Sequence, residues 1–252
     1  MTLSYEVVGS GAGLVLVHGT GSTGRKSWGT VLDGLAAGQT VVLPDLPGSG
    51  ASPLPDDPLD VAALADEIVA TADAAGLDTF AVVGASLGAP IAVTVAVRHP
   101  QRVTRLATVV GFARARPTLR LNLEVYAAMF ARQAPELSKL LVNLSFAEHF
   151  LAALSAEQVE QYGALLTNDP APGTLAQIDL GLRLDVRADL AAVRAPTLVL
   201  AATGDRFVAP AHSREIAEGI PNARLVEVPG GHAARFEDPG PTLTALLSHL
   251  AG

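Results

Sequence analysis

Residues 80–88 read Phe-Ala-Val-Val-Gly-Ala-Ser-Leu-Gly, an apolar, β-branched run passing directly into Gly84-x-Ser86-x-Gly88. A serine between two glycines at that spacing is the pattern of a nucleophile elbow. The hydroxyl stands on a sharp strand-to-helix turn where any larger neighbour would collide with backbone, so glycine is needed on both sides. The small apolar stretch 89–97 suits a helix buried against a sheet, and Pro90 is tolerated there because first-turn N–H groups lack intrahelical partners. An ordinary glycine-containing turn would carry the same five residues, so the assignment depends on partners elsewhere in the chain.

A serine hydroxyl is a poor nucleophile near neutral pH and needs a base, usually histidine, to take its proton during attack. The chain has six histidines. His232, in Pro229-Gly230-Gly231-His232, follows the last predicted strand, where a flexible loop delivers an imidazole to the carboxyl edge of a sheet. His99 ends a helix before Pro100, His249 belongs to the terminal helix, and His149 and His212 sit in helical patterns; surface or packing roles are expected for these four. The base in turn needs an acceptor on its other nitrogen to hold the tautomer and stabilise the imidazolium. Asp205, just beyond the apolar run 197–201, gives the chain order serine, aspartate, histidine. A turn aspartate that bonds its own backbone or pairs with Arg206 is the alternative, and Asp238 lies too close to His232 in sequence to be preferred.

Acyl transfer also needs donors for the oxyanion. The N–H of Leu87 follows the serine at a helix start, and the loop His18-Gly19-Thr20-Gly21 offers a second, expected from Thr20, with His18 bracing the loop rather than acting as a base. A phosphate-binding loop is disfavoured, because Arg25-Lys26-Ser27 follows the glycines at the wrong spacing. Residues 45–52 look like a tight structural connection.

Short apolar runs at 14–17, 40–43, 80–83, 106–110, 197–201 and 225–228 alternate with helical stretches. Continuous rather than alternating apolarity marks strands covered on both faces, as in a parallel sheet, and residues 4–8 add an antiparallel edge strand. Residues 61–75 form a crossover helix stopped by Gly76. From about 113 to 190 strand character disappears and short helical patterns take over, broken by Pro135, Pro170, Pro172 and Gly173. The expected organisation is an α/β core of residues 1–112 and 191–252 with a helical cap, 113–190, inserted.

The chain has 252 residues, 49% of them hydrophobic, enough to bury one large core. With 17 basic against 25 acidic residues, a net charge of −8, no general attraction to nucleic acid or anionic lipid is expected, and a small molecule is the expected partner. The absence of cysteine removes disulfides, thiolate catalysis and cysteine-ligated metals. Residues 1–8 lack a basic segment followed by an apolar core, so a cytoplasmic location is the expectation. Oligomeric state is not encoded legibly.

Together, His18 to Gly21, Asp45 to Ser52, Gly84 to Gly88, Gly204-Asp205 and Gly231-His232 resemble the α/β-hydrolase superfamily over nearly the whole chain. The similarity is to its small capped serine esterases, enol-lactonases, carbon–carbon bond hydrolases and cofactor-free haloperoxidases. The resemblance implies a mostly parallel sheet of about seven or eight strands with helices on both faces, an active site under a helical cap, no cofactor and no metal. Ala89-Pro90 departs from the glycine-rich pair often seen after the elbow. Serine at position 86 disfavours the branches that use an aspartate nucleophile and favours an ester, lactone or thioester substrate. An acyltransferase, cyclase or carbon–carbon bond hydrolase using the same three residues, and a non-catalytic ligand-binding protein on the same fold, are the competing classes. Tyr126, Met129 and Phe130 of the cap, with Trp28, are candidate substrate contacts, although the cap residues could equally hold the cap together and a lone tryptophan is more often core.

Overall fold

A computed structural model describes residues 2–251. Its sheet has seven strands: β1 (Tyr5–Val8), β2 (Ala12–Val17), β3 (Gln39–Pro44), β4 (Phe80–Ala85), β5 (Val103–Val109), β6 (Thr197–Ala202) and β7 (Arg224–Val228). They lie in the order β1-β3-β2-β4-β5-β6-β7, with β1 antiparallel to β3 and every other pair parallel. Burial follows this order. Every residue of β4 and β6 is buried, whereas edge strand β7 is largely exposed, which is why the interior strands read as unbroken apolar runs.

Helices α1 (Gly24–Ala36) and α11 (Pro239–Ala251) cover one face; α2 (Val61–Ala74), α3 (Gly88–Arg98) and α9 (Ala211–Gly219) cover the other, and the short α10 (Ala234–Glu237) precedes α11. Helix α2 starts where the Asp60 carboxylate accepts the Ala63 N–H at 2.9 Å and stops before Gly76, whose φ of 77° an L-residue resists. On the α1 face Trp28, Val31, Leu32 and Leu35 pack as one stripe against Leu14, Leu16, Val41 and Leu43. Trp28 is fully buried in this layer, so the expectation that it touches substrate is corrected: it is core, and truncating such a ring costs ~3–5 kcal/mol.

Between β5 and β6 the chain forms five helices, α4 (Pro117–Ala131), α5 (Leu137–Ser145), α6 (Glu148–Ala152), α7 (Ala156–Thr167) and α8 (Thr174–Arg183), followed by a 3₁₀ turn at Arg187–Ala192. The two ends of this insertion meet in an isolated antiparallel bridge, Arg114 to Asp185, where the Val186 N–H donates to Ala113 O at 2.9 Å. Leu119, Leu123 and Tyr126 of α4 and Ile178 of α8 share one apolar cluster with Leu87 and Ile91 at the start of α3. The inserted helices are thereby seated directly above the carboxyl ends of the strands, the edge where loops of parallel sheets gather chemistry.

Candidate active site

The turn after β4 holds Ser86 at φ 53°, in the left-handed region that serine normally avoids; such a conformation costs on the order of 1–3 kcal/mol and persists only where its surroundings enforce it. They do so here. The Ser86 N–H donates to Val109 O at 3.0 Å, a Cβ on Gly84 would stand 2.0 Å from Gly88 O, and one on Gly88 would stand 2.3 Å from Val17 O. Both glycines are therefore required by close approach of backbone. The loop after β2 closes over the turn, with Gly19 so near that a Cβ there would lie 3.1 Å from Ser86 Cβ.

The loops after β6 and β7 bring Asp205 and His232 together. One carboxylate oxygen, Oδ1, accepts the N–H groups of Phe207 and Val208 at 2.9 and 2.8 Å, and the other, Oδ2, lies 2.8 Å from His232 Nδ1. Asp205 thus bonds its own turn and the histidine at once, while Arg206 turns away to Phe146 O at 2.8 Å. With a carboxylate facing Nδ1, that nitrogen carries the ring proton and Nε2 is left as the acceptor. The imidazole stacks on Phe207, centroids 5.2 Å apart and planes at 25°, so its rotation is restricted. Ser86 and His232 line one cavity of about 240 Å³.

The same cavity is lined by Thr20. Among the described residues neither the Thr20 nor the Leu87 N–H has an acceptor, so both are free to donate. The loop that carries Thr20 is held from three sides. His18, fully buried, bonds Gly19 O through Nδ1 at 2.7 Å and accepts the Leu46 N–H on Nε2 at 2.8 Å, which fixes it as a neutral brace. Gln177 of α8 accepts the Gly21 N–H at 2.8 Å while its amide nitrogen donates to Pro47 O and Ser49 Oγ, each at 3.0 Å. Asp45 accepts the Gly24 N–H at 2.9 Å, in keeping with a structural role for residues 45–52.

Glu237 does the equivalent for the histidine loop: its Oε1 accepts the N–H of Gly231 at 2.9 Å and of Ala147 at 2.8 Å. One carboxylate oxygen so ties the segment before His232 to the α5–α6 junction, and Asn122 of α4 ties the Asp205 loop by donating to Arg206 O and Phe207 O at 3.1 and 3.0 Å. Gln177 and Asn122 carry no sequence signal, because their partners lie 84 to 156 residues away, and Glu237, whose Gly231 partner is six residues off, bonds a second partner, Ala147, 90 residues away.

A family model described as the alpha/beta hydrolase fold matches residues 14–239. The chain belongs to that family. It is 34% identical to a protein of Azorhizobium caulinodans named carbamate hydrolase RutD over 92% of this chain and 88% of that one. It is 30% identical to pyrrolizixenacetamide deacetylase of Xenorhabdus hominickii over 98% of this chain and 94% of that one. A hydrolase from Pseudomonas aeruginosa superposes with a TM-score of 0.86 at 29% identity, covering 99% of this chain and 94% of the other.

In this α/β-hydrolase the expected substrate contacts separate. Tyr126 lines the Ser86 cavity, and burial holds its phenol up at about 12, so the hydroxyl stays protonated. Phe130 lines only a second cavity, beneath α4, α5 and α7, and Met129 lines neither, because it turns into the packing of the apolar cluster. The other histidines lie in packing or surface positions: His99 bonds Asp66 at 2.7 Å, His249 bonds Leu106 O at 3.0 Å, His212 is buried edge-on to Phe112, and His149 is exposed, 4.0 Å from Glu237 Oε2. No helix among the described residues is long and apolar enough to cross a membrane.

Burial pushes the His18 ring below its ordinary range, and burial followed by the charge of Arg116 pushes His212 down to about 4. The folded state therefore binds fewer protons than the unfolded chain between the ordinary histidine range and about 4. Stability is fully present above about pH 6.5 and falls as pH drops through that window. Thermal melting is expected to decline by several degrees from about pH 7.5 to about pH 5, and less steeply in His212→Phe; parallel profiles would contradict it.

Proposed function

We propose that this hydrolase cleaves an ester, lactone or thioester of a small, hydrophobic substrate through an acyl-enzyme on Ser86. The observation that carries this is the 2.8 Å contact of His232 Nδ1 with a buried carboxylate, on a ring that shares its cavity with a backbone-strained serine. His232 Nε2 takes the Ser86 proton as Oγ attacks the carbonyl carbon. The oxyanion is received by the N–H groups of Thr20 and Leu87, each such donor worth ~3 kcal/mol. The imidazolium, stabilised by Asp205, then protonates the leaving group; water, deprotonated by the same nitrogen, releases the acid. The names of the relatives, a deacetylase and a carbamate hydrolase, support acyl cleavage from a small molecule.

In this proposal residues 113–190 act as a substrate-selecting cap on the core of residues 1–112 and 191–252. Tyr126, Leu141, Leu166, Pro170 and Gly21 line both the Ser86 cavity and the second, larger one of about 470 Å³. The Tyr126 ring, edge-on to Phe130 and Phe207 at 6.2 and 6.4 Å, is part of the wall that both cavities share. Tyr126→Ala is expected to shift 4-nitrophenyl ester preference from acetate toward octanoate by about 10-fold, the discrimination a few methylenes supply, while costing ~3–5 kcal/mol of stability. An unchanged chain-length profile in folded variant would remove Tyr126 from the wall.

The test of the whole proposal is labelling with a fluorophosphonate, which reacts with activated serines. Mapping is expected to find the adduct on Ser86 in native protein and none after heat denaturation. A folded protein that stays unlabelled at Ser86 rejects it.

A further inference from the structure

Arg235, in α10 three positions past His232, lines the Ser86 cavity and is only 8% exposed. Its Nε donates to Ser27 O at 2.7 Å and its Nη2 to Ser27 Oγ at 2.9 Å, with the guanidinium 5.1 Å from the Trp28 ring and 5.4 Å from that of Phe236. No carboxylate pairs with it among the described residues. Burial lowers its pKa to about 10, which still leaves it protonated near neutral pH. Buried arginines are ordinarily paired, because a desolvated charge without a counter-charge is costly. The aromatic faces attract the cation without cancelling it.

The other charged side chains on this wall besides His232 are Lys26 and Asp169, which pair with each other at 3.2 Å. Among the described residues Arg235 is thus the one charged side chain on this wall without an ion-pair partner, in a protein whose net charge is −8, with the buried carboxylate of Asp205 standing behind His232. A guanidinium carries five N–H donors in a planar fork, and the Ser27 bonds occupy Nε and one position on Nη2. No hydrogen bond occupies Nη1 among the described residues.

We infer that Arg235 receives a carboxylate of the substrate, so that the preferred substrate is an anionic ester whose scissile carbonyl lies at Ser86 while its acid group fills the Arg235 corner. A carboxylate matches the fork geometry, and its charge supplies the missing counter-ion. This deepens the hydrolase proposal and rests on it.

The experiment compares isosteric substrates that differ by one charge. 4-Nitrophenyl hemiglutarate is set against its terminal primary amide, and 3-acetoxybenzoate against 3-acetoxybenzamide, placing the acid on the acyl and alcohol sides in turn. In wild-type protein, kcat/KM for the carboxylate is expected to exceed that for the amide by about 10-fold or more in one pair. The ratio should fall to about 1 in Arg235→Gln and to an intermediate value in Arg235→Lys, which keeps the charge but loses the fork. Wild-type ratios at or below unity in both pairs overturn the inference, as does a ratio preserved in folded Arg235→Gln. Should that variant not fold, calorimetry of glutarate against glutaramide with wild-type protein decides: selective, salt-weakened binding of glutarate supports it, and equal or absent binding overturns it. Amide substrates that turn over at a ratio of unity sink only the anionic corner. No turnover together with no fluorophosphonate label on Ser86 sinks the hydrolase proposal itself.

Discussion

Ser86→Ala is expected to lower kcat on 4-nitrophenyl acetate by ~10³-fold or more while leaving the fold intact. The exchange deletes Oγ alone. The Ser86 N–H to Val109 O bond belongs to the backbone, and alanine bears the φ of 53° at about the same cost as serine, so melting should shift little. The free N–H groups of Thr20 and Leu87 and the cavity remain in the variant, and they account for residual rate over water, since donors and binding act without a nucleophile. The loss should therefore appear in kcat, with KM little changed. Wild-type turnover in pure, folded Ser86→Ala would mean that ester cleavage does not pass through Ser86, despite the contact between Asp205 and His232.

Much of this was legible in the chain because the signals are local. The strand that leads into Ser86 is apolar throughout because helices cover both of its faces, and Gly84 answers to a clash with Gly88 only four residues on, although Gly88 itself answers to the distant Val17. Strand boundaries moved only at their ends: the run expected over 106–110 begins at Val103, and Val110 has left it at φ 47°. Trp28 was readable too, since 28, 31, 32 and 35 form one helical stripe and all four are buried together. In α4 the buried positions are Leu119, Leu123 and Tyr126; that stripe identifies the inward face, but which cavity the face overlooks depends on how α5 and α7 pack, and spacing within α4 does not carry that. Arg235 and Gln177 were invisible for a plainer reason. Their partners, Ser27 and Gly21, are 208 and 156 residues away, and a lone polar residue in a helix gives no hint of a distant contact.

Asp205→Asn should separate catalysis from folding, because in the proposed mechanism this one side chain serves both. Asparagine keeps an oxygen that can continue to accept the Phe207 and Val208 N–H groups, which hold the turn at 2.9 and 2.8 Å. Its NH₂ then faces His232 Nδ1 in place of Oδ2. A donor there obliges Nδ1 to act as acceptor and drives the ring proton to Nε2, the atom that takes the Ser86 proton in the proposed mechanism. The imidazolium also loses the buried negative charge beside it. A fall in kcat of ~10⁴-fold is expected from the wrong tautomer, with thermal stability within about 1 kcal/mol of wild type. Asp205→Ala should lose comparable activity and in addition about 1–3 kcal/mol for each buried N–H left without an acceptor. Comparing kcat and melting temperature across the pair checks the assignment: an asparagine variant retaining turnover within about tenfold of wild type would mean that His232 does not depend on this carboxylate for its proton.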